Sequence, residues 1–144
     1  MPQTWSPPPS PHPMLEDIEH RRQDERESQA AATIHVQLAR EAYHRGDAHQ
    51  ALGHLQAAIA LAPTEPLSND LGVVYFEMGL VDEARRAFID AIAAEPDNAQ
   101  PLRNLGYLAL GENEFALCRS ACQQLMAIEP DDPVAKELLT MLPQ

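Results

Sequence analysis

Three prolines spaced 33 and then 34 residues apart, Pro63, Pro96 and Pro130, constrain most strongly what this chain folds into. Four further columns hold the same register. Gly46, Gly79 and Asn113 recur at that interval, as do Ala39, Gly72 and Gly106, then Ala51, Ala84 and Cys118, and finally Leu55, Phe88 and Cys122. A period of this length marks one supersecondary unit present in three copies, each burying its apolar face against its neighbours.

Every copy reads as a helical hairpin, so the expected class is all-α. In the second copy Leu67, Leu71, Val74, Tyr75 and Met78 recur at helical spacing, and Gly79 stops the helix at its C-terminus. Asp82 is expected to cap the next helix, which carries Ala84, Phe88, Ala91 and Ile92 before Pro96 ends it. Asp47 takes the capping role in the first copy. Small residues at 72 and 84 let the two helices of a hairpin approach closely, while Phe88 fills the space between hairpins. After the third copy, Asp132 is expected to cap a last helix with Pro133 in its first position, where the missing N–H is harmless. Val134, Leu138, Leu139 and Met141 would then cover the end of the stack, as a solenoid requires.

The rest of the chain is of different character. Six of the 13 prolines fall within residues 1–13, which have only Trp5 to bury and are expected to form a disordered, partly polyproline II tail. A second methionine, Met14, opens the helical pattern and offers another translation start. Residues 14–31 read as a charged helix with Met14, Leu15 and Ile18 at its start and an Asp17/Arg21 pair one turn apart. The expected organisation is therefore tail 1–13, helix 14–31, hairpins 32–64, 65–98 and 99–131, and a capping helix 132–142.

The formal charge is −12, from 22 acidic and 10 basic residues of which only Lys136 is a lysine. Nucleic acids and anionic membrane surfaces are bound through Lys and Arg, so both are poor partners. No apolar run approaches the ~20 residues that span a bilayer, and no basic–apolar leader opens the chain. The expectation is a cytoplasmic protein whose partner is a protein or peptide of basic or apolar character.

The columns resemble the tetratricopeptide repeat, W-x2-L-G-x2-Y followed by A-x3-F, A and P. The second copy matches at Leu71, Gly72, Tyr75, Ala84, Phe88, Ala91 and Pro96, with Ser68 in place of the tryptophan. The first supplies His35, Leu38, Ala39, Ala42, Ala51, Leu55, Ala58 and Pro63. The third keeps Leu102, Leu105, Gly106 and Pro130 and departs at Ala109, Cys118, Cys122 and Leu125. The resemblance implies a right-handed superhelical solenoid in which the first helix of each hairpin lines a concave groove. By that projection the groove takes Val36, Arg40, Tyr43 and His44 from the first copy. The second gives Asn69, Asp70, Val73, Phe76 and Glu77, and the third Arg103, Asn104, Tyr107 and Leu110. Such a surface would hold a partner segment by apolar anchors beside Arg40 and Arg103.

One subgroup of the family holds the acidic C-termini of cytosolic heat-shock chaperones with Lys and Asn on the first hairpin, Asn on the second, and Lys and Arg on the third. The matching positions here are Val36, Arg40, Asp70, Gln100 and Asn104. Both lysines are missing and Asp70 would oppose a pair of carboxylates, so that ligand class is excluded, although Arg40 and Arg103 could still hold a single carboxylate. Small three-repeat members with an N-terminal helix are also similar to type III secretion chaperones, which keep hydrophobic translocators soluble. A self-assembling scaffold forming homo-oligomers is a third reading.

No catalytic constellation emerges. His35, His44, His49 and His54 are spaced nine, five and five residues apart, not the four that a helical zinc pair needs, so no metal site is expected. Cys118 and Cys122 occupy the small and aromatic core columns and read as packing residues. Phosphate-binding glycine loops and nucleophile motifs are missing, and the expectation is a protein with no cofactor and no enzymatic activity.

Overall fold

In the computed structural model the described residues, 1–8, 13–63 and 66–144, form seven helices and no strand. They are α1 (Pro13–His44), α2 (Ala48–Leu61), α3 (Ser68–Glu77), α4 (Val81–Ala94), α5 (Ala99–Gly111), α6 (Phe115–Ile128) and α7 (Pro133–Met141). Helices α1/α2, α3/α4 and α5/α6 pair as hairpins, each second helix packs on the first helix of the next hairpin, and α7 closes the stack against α5 and α6. None of the described helices is long and apolar enough to cross a membrane.

The repeat columns build the same two joints three times. Within each hairpin the first helix ends in a left-handed residue, Gly46 (φ 82°), Gly79 (φ 77°) or Asn113 (φ 61°). Glycine pays no Cβ penalty there, and asparagine is among the few other residues that tolerate it. The following N–H then reaches back five residues, Asp47 to Ala42 (2.9 Å), Leu80 to Tyr75 (2.9 Å) and Glu114 to Ala109 (2.8 Å), satisfying carbonyls the helix end would orphan. The second helix of each hairpin stops at Ala62, Glu95 or Glu129, the residue before each spaced proline. All three leave the helical region, with φ between −127° and −139° and ψ between 77° and 93°, because a following proline ring excludes helical backbone at that place.

Caps follow the expectation in two cases and depart in one. Asp47 accepts from the Gln50 N–H (3.0 Å) and Asp132 from the Ala135 N–H (3.0 Å), with Pro133 opening α7. Asp82 is not a cap: α4 begins one residue earlier, Leu80 is its N-cap without a side-chain bond, and Asp82 lies in the first turn paired with Arg85 (2.7 Å). Arg85 also bonds Glu114 through Nε (3.0 Å), tying α4 to the start of α6.

Packing is built from alanines and a few large side chains. Ala39, Ala42, Ala51, Leu55 and Val74 form one buried cluster, and Ala84, Phe88, Leu105, Leu108 and Ala121 a second. A third joins Cys118, Cys122 and Leu125 to Ala135, Leu138 and Leu142 of the C-terminal end. Both thiols are free and buried, and burial raises both above the ordinary cysteine value, Cys122 to about 11. They are packing residues with little thiolate character. Gly72 faces the Phe88 ring so closely that a Cβ there would overlap it.

The N-terminal segment and the first helix of the first hairpin are one continuous element, since no glycine or proline interrupts residues 14–44. Its first 19 residues, 13–31, include no buried side chain, and Met14, Leu15 and Ile18 are 73%, 52% and 40% exposed. The first buried residue is Ala32. Residues 1–8 are exposed and carry no regular element, with Trp5 80% exposed. Residues 9–12 of the expected tail lie outside the described residues, and Pro13 belongs to α1.

Candidate functional site

Helical periodicity puts one residue of every three or four on a shared face, and the first helices of the hairpins present such faces side by side. Between them runs a furrow. Its central cavity, about 230 Å³, is lined by Ala39, Arg40, Tyr43 and His44 of α1, Leu55 of α2, and Asp70, Val73 and Val74 of α3. A second cavity of about 250 Å³ adjoins it through Tyr43 and Val73 and adds Phe76, Glu77, Phe88, Asn104, Tyr107 and Leu108. On the other side Arg40 and Asp70 continue into a cavity of about 260 Å³ that includes Val36. A further one of about 250 Å³ includes Asn69 and Gln100.

Most of the projected groove residues therefore line contiguous space. Phe76 and Tyr107 are each 48% exposed, although the apolar parts of both rings have core-sized area to bury. Tyr43 donates a long hydrogen bond to Glu77 (3.4 Å) across α1 and α3. Burial, and then the Glu77 charge, raises the Tyr43 hydroxyl above its ordinary value. Asn104 donates to Asn69 (2.9 Å), linking α5 to α3 along the furrow wall.

The charges of the furrow are unbalanced. Arg40 pairs with Asp70 at 3.8 Å, with 65% of the Arg40 side chain exposed. Burial raises the Asp70 carboxyl above its ordinary value, and the Arg40 charge only partly offsets this. Glu77 lines the adjoining cavity and Glu95 a further one, so one Arg stands among three carboxylates along these cavities.

Two projected residues stand elsewhere. Arg103 is turned to the cap: it donates to Asp132 through Nε (2.9 Å) and Nη2 (2.6 Å), and to Glu129 through Nη2 (2.6 Å). It offers no charge to a ligand in the furrow. Leu110 is half-buried against the cluster containing Cys118, Cys122 and Leu138, so it is a core residue. Both departures have one cause, the closing helix α7 and the loop before it, which cover the last hairpin where a projection from an open repeat leaves it bare. The furrow floor, Ala39, Leu55, Phe88 and Leu108, consists of core columns that a search for non-core groove residues passes over.

Stacked helical hairpins with a furrow along their first helices are the architecture of tetratricopeptide-repeat domains, and the chain has that fold. Residues 75–142 match the tetratricopeptide repeat family model. Among solved structures the chain is similar to the Arabidopsis OM64 tetratricopeptide-repeat domain, at TM-score 0.73 and 14% identity over 78% of this chain and 94% of that one. It is also similar to the first such domain of Spaghetti (RPAP3) bound to the HSP90 peptide SRMEEVD, at TM-score 0.72 and 15% identity over 78% and 91% of the two chains. The second such domain of human RPAP3, in complex with the HSP70 peptide SGPTIEEVD, gives TM-score 0.69 and 13% identity over 81% and 95%. At these identities the likeness is one of fold. No match is found among the curated proteins.

Proposed function

We propose that this protein is a non-enzymatic adaptor whose furrow along α1, α3 and α5 receives a segment of a partner protein carrying apolar side chains and at least one Lys or Arg. The observation that carries this reading is the combination of apolar anchors, Tyr43, Val73, Phe76 and Tyr107, with an excess of acid at Asp70 and Glu77. Two similar domains are known with peptides bound, and both peptides end in Glu-Glu-Val-Asp. Here the corresponding positions hold Val36, Arg40, Asp70, Gln100 and Asn104, with Arg40 already facing Asp70. A ligand carboxylate would meet Asp70 without a lysine to offset it, whereas a ligand cation gains from both acids.

The test is fluorescence anisotropy with labelled twelve-residue peptides, one set combining Leu or Phe with Arg or Lys, the other ending in Glu-Glu-Val-Asp. The basic–apolar set should bind and the acidic set should not; the opposite preference would end the proposal. Replacing Tyr43, Phe76 and Tyr107 together by alanine should weaken binding by about 100-fold or more, since two or three anchors at ~1–2 kcal/mol each are lost. Far-UV circular dichroism and the melting temperature should stay close to wild type, because two of the three rings are half-exposed.

A client-holding chaperone is a second reading, favoured by the uncovered Met14, Leu15 and Ile18 at the start of α1. It requires that removing residues 14–30 releases the client while leaving furrow peptides bound.

A further inference from the structure

The first hairpin carries a pair of side chains that the furrow does not use. His35 of α1 and His54 of α2 face one another with their Nδ1 atoms 3.0 Å apart. Their ring centres are 5.3 Å apart and the planes are tilted by 36°. Both rings are half-buried. Comparison of the copies shows that this pair departs from the repeat. The columns of His35 hold Ser68 and Leu102 in the later copies, and those of His54 hold Ala87 and Ala121. Leu102, Ala87 and Ala121 are buried, and Ala121 packs in the cluster that holds Ala84 and Phe88 of the preceding hairpin. In the first hairpin that face is the open end, and two imidazoles occupy it.

We propose that His35 and His54 form a binding site for a divalent transition-metal ion, Cu(II), Ni(II) or Zn(II), which joins α1 to α2. The separation decides which coordination fits. Two ligands at about 2.05 Å from a metal lie about 2.9 Å apart at a right angle and about 3.4 Å apart at the tetrahedral angle. The Nδ1 pair at 3.0 Å already spans neighbouring positions of a square-planar Cu(II) or Ni(II) site, and it opens by a few tenths of an ångström for Zn(II). Each ring needs only to turn about its Cβ–Cγ bond so that both lone pairs aim at an ion beside the line joining them. The ion then takes the place of the single proton that two facing imidazole nitrogens share in a hydrogen bond. Among the described residues no group of three or more His, Cys, Asp or Glu side chains converges on a metal position. The protein therefore supplies two ligands and water completes the coordination. Affinity should follow the usual order, with Cu(II) above Zn(II).

The experiment is a titration of the full chain with Cu(II), and separately with Zn(II), read by calorimetry and by thermal melting. The wild type should bind one equivalent and melt at a higher temperature with metal present. His35→Gln and His54→Gln should each bind at least tenfold more weakly and lose the thermal shift, while His49→Gln, outside the pair, should behave as wild type. Electron paramagnetic resonance of the Cu(II)-loaded wild type should show coupling to two imidazole nitrogens. Equal affinity in the wild type and both pair variants, or coupling to a single nitrogen, would overturn the proposal. If either variant fails to fold, imidazole nitrogen resonances of the wild type decide the matter. Zn(II) must shift both Nδ1 signals, and unmoved signals refute the site.

Discussion

Phe88→Ala is expected to destabilise the protein by about 3–5 kcal/mol, the range for emptying a buried aromatic position. Phe88 is only 3% exposed and sits in the cluster that holds Ala84, Leu105, Leu108 and Ala121, so its ring is packed by three helices at once. It also contributes to the floor of the cavity beneath Phe76 and Tyr107. Loss of the ring therefore removes both hairpin-to-hairpin packing and the base of the furrow. Gly72→Ala is expected to destabilise by about 1–3 kcal/mol through overpacking, because its Cβ would enter the volume of the same ring. The two substitutions share one space and should not be additive: in the Phe88→Ala background the alanine at 72 occupies part of the vacated volume. Urea unfolding of the wild type, both single variants and the double variant measures the coupling. A double variant as unstable as the sum of the singles would show that Gly72 and Phe88 do not restrain each other.

That pair also shows why the fold was legible. Turn glycines, pre-proline helix ends and small-to-large column pairs act locally and recur at fixed intervals, so three copies state the same rule three times. Even Asn113, the one turn residue that is not glycine, is identified by its column before its positive φ is seen. Legibility fell where a column changes chemistry between copies. The residue after the turn is Asp47 in the first copy, where it caps, but Leu80 in the second, and Asp82 lies too far along α4 to replace it. For the furrow, helical phase was sufficient to gather Tyr43, Val73, Phe76, Glu77, Asn104 and Tyr107 around one cavity. It failed at Arg103 and Leu110, whose surroundings depend on the closing helix and its preceding loop, contacts 26 to 29 residues away for Arg103 that periodicity does not encode. The histidine pair was missed for a related reason. Spacing along one helix tests ligands on that helix, whereas His35 and His54 meet across a hairpin; the signal lay in the columns, where both neighbours in the later copies are mostly apolar.

Arg103→Met is expected to lower stability at neutral pH by about 3 kcal/mol or more, because it leaves the Asp132 carboxylate buried without its cation. Asp132 is fully buried at its side chain and Arg103 is 25% exposed. Burial pushes the Asp132 carboxyl up, but the Arg103 hydrogen bonds and the Ala135 N–H outweigh it, and the group sits below its ordinary value of 3.8. A carboxyl held low in the folded state adds stability that is fully present above its unfolded value and is lost as pH falls through the folded value. In the wild type this pair therefore favours folding at neutral pH and ceases to do so in strong acid. Removing the guanidinium takes away the largest influence that lowers the carboxyl and leaves its burial in place, so the folded-state value rises and the stabilisation at neutral pH is lost in step. The stability gap between wild type and Arg103→Met should then be widest near pH 7 and should narrow steadily as the pH is lowered towards 4. Asp132→Asn separates the two roles of the residue, since asparagine still accepts from the Ala135 N–H as a cap and leaves Arg103 with Glu129. Its deficit should be smaller than that of Arg103→Met at pH 7. Urea unfolding of the three proteins at several pH values provides the comparison, and a gap between wild type and Arg103→Met that does not change with pH would show that Asp132 is not charged by virtue of Arg103.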